Sequence, residues 1–365
     1  MCVFFCLFAM QTNNEMAQRI YTNEATGLYS SPDINVLSRM ATSIREELNG
    51  KTVWYNKNFH LEPSNVCIHN CKFCSYRRGN DFEPGAWTMD MEQIKGYCLD
   101  KFTDDVTEIH VVGSVHPSKD VGYYLNVIET IRKTLPPHVT IKAYSAVEID
   151  DMCNNSGMTP LTLLERLKEL GVSALPGGGA EIFNPGVRAQ ICPDKADGQR
   201  WLEIHEIAHS LGIRSNATML FGHIENRAHR VEHLMMLRDL QDRTGGFDAF
   251  IPLLFKASNN ALSYLGEADT IEILRTFAIS RIVLDNFRHI KSYWPMLGKE
   301  QSQLALLYGA DDVDGTINDS TKIYSMAGSQ EQNPVMTAQE LQAMAAQCGY
   351  IALERDSFYK QVIKK

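Results

Sequence analysis

Between about residues 50 and 300 the chain alternates short, mostly apolar runs with longer segments in which apolar residues return every three or four positions. The runs at 57–61, 108–112, 140–144, 172–175, 214–220, 247–254 and 289–294 have the length and apolar content of buried strands. The intervening segments predict helices over 88–101, 121–135, 160–170, 197–211, 226–243 and 269–287. In the helix over 160–170, Thr159 is placed to cap, Pro160 to open the first turn and Gly171 to stop it, so Leu161, Leu164, Leu167 and Leu170 are expected to share a buried face. At least six such βα units predict an α/β protein with a parallel sheet, closing into a full or partial (β/α) barrel whose site lies at the strand C-termini.

Beyond residue 310 the alternation lapses into an irregular acidic stretch, 309–316, and then a helix opened by a capping box of Thr337 and Glu340. The chain therefore divides into an N-terminal segment (1–49), a barrel (50–308) and a C-terminal helical extension packed on the barrel (309–365). The first ten residues are apolar, but they are too few to span a membrane and have no basic n-region for a signal peptide. They read as a start codon placed too early, with Met10 or Met16 as the true start.

Composition adds exclusions. Of the 365 residues, 44% are hydrophobic and 22% charged, as in globular proteins generally, and the net charge of −9 with scattered basic residues argues against nucleic acid as a partner. Membrane association is not expected either. Nine cysteines, an odd number without a pairing framework in a chain of this size, point to a reducing cytoplasm.

Three of those cysteines, Cys67, Cys71 and Cys74, fall in one short loop after the first predicted strand, a loop made polar by Asn65, His69, Asn70 and Lys72. Three soft thiolates are one short of a closed tetrahedral site, but they can hold three irons of a 4Fe-4S cubane and leave the fourth open. A zinc site that borrows His110 or Cys98 as fourth ligand is the alternative. Further along, Gly113 and Ser114 end the second strand in a turn where backbone can approach a ligand closely, and Glu148 follows the third strand, where a carboxylate would face the barrel mouth and suit a ribose hydroxyl pair. Gly177, Gly178 and Gly179 after the fourth strand lack the Gly-Lys-Ser/Thr ending of a phosphate loop and suggest a backbone wall against substrate, with Glu181 as a polar contact. His223 and Glu225 have no third partner at metal-ligand spacing, so His223 reads as a satisfied loop histidine or a proton donor. Arg281 and Asp285, four apart, are placed to pair, and Arg281, His289 and Lys291 are cations that would clamp a substrate carboxylate if turned inward.

The run Cys67-Ile-His-Asn-Cys71-Lys-Phe-Cys74 after a first barrel strand resembles the cluster loop of the radical S-adenosylmethionine enzymes. That resemblance implies a 4Fe-4S cluster held by the three cysteines and S-adenosylmethionine on the open iron. It also implies Phe73, Tyr76, Gly113, Ser114 and Glu148 around that molecule, and a one-electron donor such as flavodoxin or ferredoxin. The runs 142–150, 175–183, 191–193, 216–225 and 284–287 are further similar to the aminofutalosine synthase family, a likeness covering roughly residues 50–328. It implies addition of the 5′-deoxyadenosyl radical to 3-[(1-carboxyvinyl)oxy]benzoate, an aryl enol ether, in menaquinone biosynthesis. His223, Glu181 and Arg281 are then the candidates for catalysis. The cyclase acting on dehypoxanthine futalosine shares the cluster loop and is the alternative. Ser75-Tyr76 stands where many relatives carry Ala-Phe.

Overall fold

The computed structural model describes residues 19–315, 322–328 and 334–363; the expected early start lies outside the described residues. Among them, ten strands pair in parallel throughout: β1 (Thr52–Tyr55), β2 (Asn58–Leu61), β3 (Glu108–Val111), β4 (Thr140–Ala143), β5 (Val172–Leu175), β6 (Arg214–Phe221), β7 (Phe247–Leu254), β8 (His289–Ser292), β9 (Asp312–Val313) and β10 (Ile351–Glu354). Their order is β10-β1-β9-β8-β7-β6-β5-β4-β3-β2. The seven strands expected from the pattern are β2 to β8.

Eight strand-to-strand steps separate β1 from β2 in that order, which in a flat sheet is about 38 Å. Only Asn56 and Lys57 connect them in sequence, a link that reaches about 11 Å at most. The sheet must therefore curl until its ends face each other, which gives an α/β half-barrel of ten strands. Across the seam, Asn58 Nδ2 donates to Asp314 Oδ1 at 3.1 Å and the His60 ring stacks on Tyr293 with centroids 6.4 Å apart. Gly315 is required there, because a Cβ would run into the backbone oxygen of Asn56.

Helices cover the outside. The helix Pro160–Glu169 has the expected cap, with Thr159 accepting from the Thr162 N–H, but its buried residues are Leu163, Leu164 and Leu167. Leu161 is 45% exposed, because the i, i+4 pair Leu163/Leu167 sets the face and Leu161 points well away from it. Residues 146–156, to which the pattern assigns no element, form a helix, capped reciprocally by Ser145 and Glu148 and stopped by left-handed Gly157. Arg281 and Asp285 do not pair: Arg281 Nη2 meets Asp311 Oδ1 at 2.5 Å, and Asp285 meets Arg19 Nε at 2.8 Å. The segment expected to pack on the barrel from 309 onward also enters the sheet, as β9 and β10. No helix among the described residues is long and apolar enough to cross a membrane.

Beneath the sheet, His209 bonds Thr244 Oγ1 and Ser215 Oγ, each at 2.7 Å, and His233 Nε2 lies 2.9 Å from the Thr218 oxygen. Burial lowers His209 from 6.5 to about 4 and His233 to about 3, so folding favours their neutral forms. That stabilisation is complete above pH 6.5 and is lost as pH falls through those lowered values. Urea unfolding at pH 7, 5.5 and 4.5 should therefore show stability falling by up to about 1.4 kcal/mol per pH unit for each group, and less steeply in His209→Gln. A profile flat from pH 7 to 4.5 would contradict this account.

Candidate active site

The cysteine loop leaves β2 at the seam and is tied down on every side. Cys67 N–H donates to the Arg78 oxygen at 2.9 Å, Ile68 N–H to Val115 at 2.9 Å, Lys72 N–H to Ile191 at 2.8 Å and Cys74 N–H to Cys71 at 3.1 Å. The hydroxyls that set Ser75-Tyr76 apart both find carbonyls: Ser75 Oγ donates to Ser258 at 2.8 Å and Tyr76 Oη to Ser64 at 3.1 Å. Cys67, Cys71 and Cys74 form no disulfide and are half-buried. Burial pushes the Cys67 thiol up and the Cys71 thiol up to about 12.

The three thiols open into a cavity of about 250 Å³ at the barrel mouth, where His69, Phe73, Tyr76, Gly113, Ser114, Glu148, Glu181 and Lys195 also line the wall. Leu220, Leu253, Phe255 and Met296 supply apolar surface. Glu148 sits in the first turn of the helix Ala146–Ser156: its Oε2 accepts from the Ser145 N–H and Oγ, both at 2.7 Å, and its Oε1 accepts from the Gly113 N–H at 3.1 Å. Two expected residues, Gly113 and Glu148, are thus bonded to each other. Burial raises the Glu148 carboxyl, against the pull of the Ser145 donors. Gly113 has little room for a side chain, since a Cβ would lie 3.0 Å from the Ser64 oxygen.

The three glycines divide their roles. A Cβ on Gly177 would come within 2.8 Å of the Asn216 oxygen, and one on Gly179, at φ +87°, within 2.6 Å of Val147. Those two exist for close packing, and Gly178 alone has open space before it. Glu181 adopts φ +46°, a left-handed conformation unusual for a side-chain-bearing residue, and meets Lys195 Nζ at 2.5 Å. Burial works against the Lys195 charge, but Glu181 holds the ammonium above its ordinary value, beside Cys71 and 5.4 Å from the Phe73 ring centre.

A second chamber of about 140 Å³ lies deeper, sharing Val112, Gly178, Leu253 and Ile323 with the first. Lys142, Lys291, Glu108, His60 and His110 line it, with Asn216 and Thr218 on the β6 wall. Lys142 meets Glu108 at 2.9 Å.

Two of the three catalytic candidates stand outside both cavities. His223 is buried behind Leu220, its Nε2 3.1 Å from the Leu220 oxygen and its Nδ1 3.1 Å from Glu225 Oε2. Arg281 is fully buried in the helix Thr270–Val283, bonded to Gly309, Phe287 and Asp311, and is no clamp at this mouth. His289 is likewise spent, on Asp311 at 2.5 Å. Lys195 and Lys142 were not singled out in the sequence because each acquires its place only through a tertiary partner.

The loop fits a cluster in kind. Among the described residues no three Cys, His, Asp or Glu side chains converge as a single ion requires, whereas a cubane takes one thiolate per iron. Neither His110 nor Cys98 lines the cavity, so neither adds a fourth ligand to the loop. His69, within the loop, has both ring nitrogens buried without a partner among the described residues, a polar wall facing the same space.

The chain matches the family model described as the Radical SAM superfamily over residues 61–237 and that described as the CofH/MqnC C-terminal region over residues 244–363. It is 38% identical over 349 residues to an aminodeoxyfutalosine synthase of Thermus thermophilus, covering 94% of this chain and 93% of that protein. It is 36% identical over 353 residues to one of Streptomyces coelicolor, covering 94% and 90%. A cyclic dehypoxanthine futalosine synthase of Streptomyces coelicolor is 35% identical over 348 residues, covering 94% and 86%. In fold the chain resembles the crystal structure of methylornithine synthase, with a TM-score of 0.71 at 15% identity over 92% of this chain and 95% of that one.

Replacing Cys71 with Ala should leave a folded protein that retains neither iron nor sulfide after anaerobic reconstitution. The check is elemental analysis with the visible absorbance spectrum; wild-type iron and sulfide in Cys71→Ala would make the loop purely structural.

Proposed function

The chain belongs to the radical SAM superfamily, whose members are enzymes using a 4Fe-4S cluster and S-adenosylmethionine, and from that premise we propose that it is an aminofutalosine synthase. The reaction joins the 5′-deoxyadenosyl group of S-adenosylmethionine to the enolpyruvyl double bond of 3-[(1-carboxyvinyl)oxy]benzoate. Methionine leaves as that group is released, and aryl migration with loss of the carboxyl group, as bicarbonate with water, then gives 6-amino-6-deoxyfutalosine for menaquinone biosynthesis. The observation that carries this reading is the full-length likeness to two synthases, at 38% and 36% identity over 94% of the chain.

Cys67, Cys71 and Cys74 would hold the cluster, which when bound supplies the electron that cleaves the sulfonium. Around it, the chain's own residues bind and orient. The Gly113 and Ser114 backbone is assigned to the methionine amino group, and Glu148, whose oxygens keep about one acceptor position beyond the three donors they accept, to the ribose. Lys195 suits the methionine carboxylate, with Glu181 positioning it. Phe73 and Tyr76 brace the loop; the Tyr76 ring sits edge-on to Trp87, centroids 5.3 Å apart. Leu220, Leu253, Phe255 and Met296 give the cavity apolar surface that excludes solvent around the reacting groups. Radical addition needs no general base, which agrees with a mouth where the candidate His223 is turned away into its own loop. An electron donor of the flavodoxin or ferredoxin type would approach the exposed side of the loop, where Ile68 is 46% exposed. We place the enzyme in the cytoplasm, with residues 50–308 as the barrel and 309–365 as the extension that completes its sheet.

Reduced, reconstituted protein given S-adenosylmethionine and the enol ether should yield the adenosylated aryl product and methionine by mass spectrometry. Free 5′-deoxyadenosine released with consumption of dehypoxanthine futalosine, when that compound is supplied in place of the enol ether, would instead assign the cyclase reaction.

A further inference from the structure

The inner chamber contains a buried ammonium that two carboxylates flank but that no acceptor reaches at hydrogen-bond distance. Lys291 is 4% exposed, yet its ammonium makes no hydrogen bond among the described residues, and its nearest carboxylate oxygens are Asp314 Oδ1 at 3.8 Å and Asp312 Oδ1 at 3.9 Å. Asp312 spends its Oδ2 on Arg355 Nη2 at 2.7 Å and leaves Oδ1 without a hydrogen bond, and Asp314 Oδ1 accepts from the Asn58 amide at 3.1 Å, so both acids are counter-charges to Lys291 from beyond hydrogen-bond distance. A buried ammonium keeps three donors, and leaving them unspent is costly unless an acceptor enters the space they face. Also lining the chamber, His110 has its Nε2 buried without a partner among the described residues. Of the other charged groups lining the chamber, Asp314 stands beside Lys291 and Glu108 beside Lys142. Burial pushes the Glu108 carboxyl up, but Lys142 and then Lys291 hold it down at about 2, so Glu108 and Lys142 form a charged pair that cancels itself.

We propose that this chamber is the subsite for the aryl carboxylate of the substrate, received by Lys291 with His110 also lining the chamber. The inference rests on the reading of the substrate as an aryl enol ether diacid. In such a molecule the alkene and its own carboxylate belong to one three-carbon unit, so they stay together beside the cysteines in the outer cavity. The meta ring position carries the second carboxylate away from them, through the shared wall of Val112, Gly178 and Leu253. Tyr293 and Ile251 give the ring apolar surface on the way. The depth of the chamber thus sets which arenes place their alkene within reach of the mouth.

The test uses the reconstituted full-length enzyme and calorimetric titration with 3-hydroxybenzoate and its uncharged amide, 3-hydroxybenzamide. The acid should bind about ten- to a hundredfold more tightly than the amide, the span that a hydrogen bond to a charged group covers, and Lys291→Gln should erase the preference. In turnover, Lys291→Gln should raise KM for the enol ether by a similar factor with a smaller change in kcat. Equal binding of acid and amide by the wild-type protein overturns the assignment without any variant. So does a Lys291→Gln protein of wild-type iron content whose KM is unchanged. If the wild type makes no adenosylated product but binds the acid through Lys291, the synthase reading falls and the chamber assignment stands.

Discussion

Everything at the mouth depends on the two residues between β1 and β2. Because Asn56 and Lys57 are too short to cross a flat sheet, the ends of the sheet meet, and they meet without a ladder of backbone bonds. Side chains fill the slot instead: Asn58 and His60 from β2 on one side, Tyr293 and Asp314 on the other. The inner chamber is bounded by these same residues. A fully hydrogen-bonded closure would have drawn the backbones to about 5 Å and left no room there. The cysteine loop departs from the strand that borders the slot, which is why it can bridge from Val115 after β3 to Ser258 after β7.

Charge inside the barrel follows depth. At the bottom, Arg281, Asp311 and His289 form a closed group, and Arg355 neutralises Asp312. Such buried pairs contribute little net stability, since desolvation offsets most of their attraction, but removing one partner strands the other. They fix the floor. One level up, Lys142 and Glu108 cancel, and Lys291 stands with its donors unspent. His289 and Lys291 are two residues apart on β8 and so point the same way, yet one is consumed by the floor and the other faces the chamber. Strand alternation decides the side; the level along the strand decides the role.

That distinction marks how far the sequence could be read. The cysteine loop, seven strands, their parallel pairing and most helices follow from local signals: ligand spacing, apolar runs, caps and glycine stops. β9 and β10 do not: the two residues of β9 carry no periodicity and Asp312 reads as polar loop until Arg355 covers it, while β10 buries only Glu354 and so has no apolar face to show. The helix Ala146–Ser156 was legible in its Ser145-x-x-Glu148 capping box, but the same glutamate also read as a ligand for ribose, and that reading hid the cap. Arg281 could not be separated from Lys291 by pattern, since both are cations in apolar surroundings and only their partners differ. Lys195 lies fourteen residues from Glu181, across a helix, and no local rule joins them.

The two cavities are built from different materials, and the difference is chemical. Around the thiols the polar contacts come largely from constrained backbone and cap groups: the Gly113 amide, Ser145 with Glu148, the left-handed turn that carries Glu181 to Lys195. Groups held by backbone geometry cannot swing toward a reactive carbon, and apolar Leu220, Leu253 and Phe255 offer only weakly interacting surface between them. The inner chamber has Lys142, Lys291, Glu108, His60 and His110 on its walls, side chains suited to gripping a charged end of a substrate. Gly178 sits on the boundary with open space before it and lines both. A bulkier residue there would reach into the space where the two cavities meet.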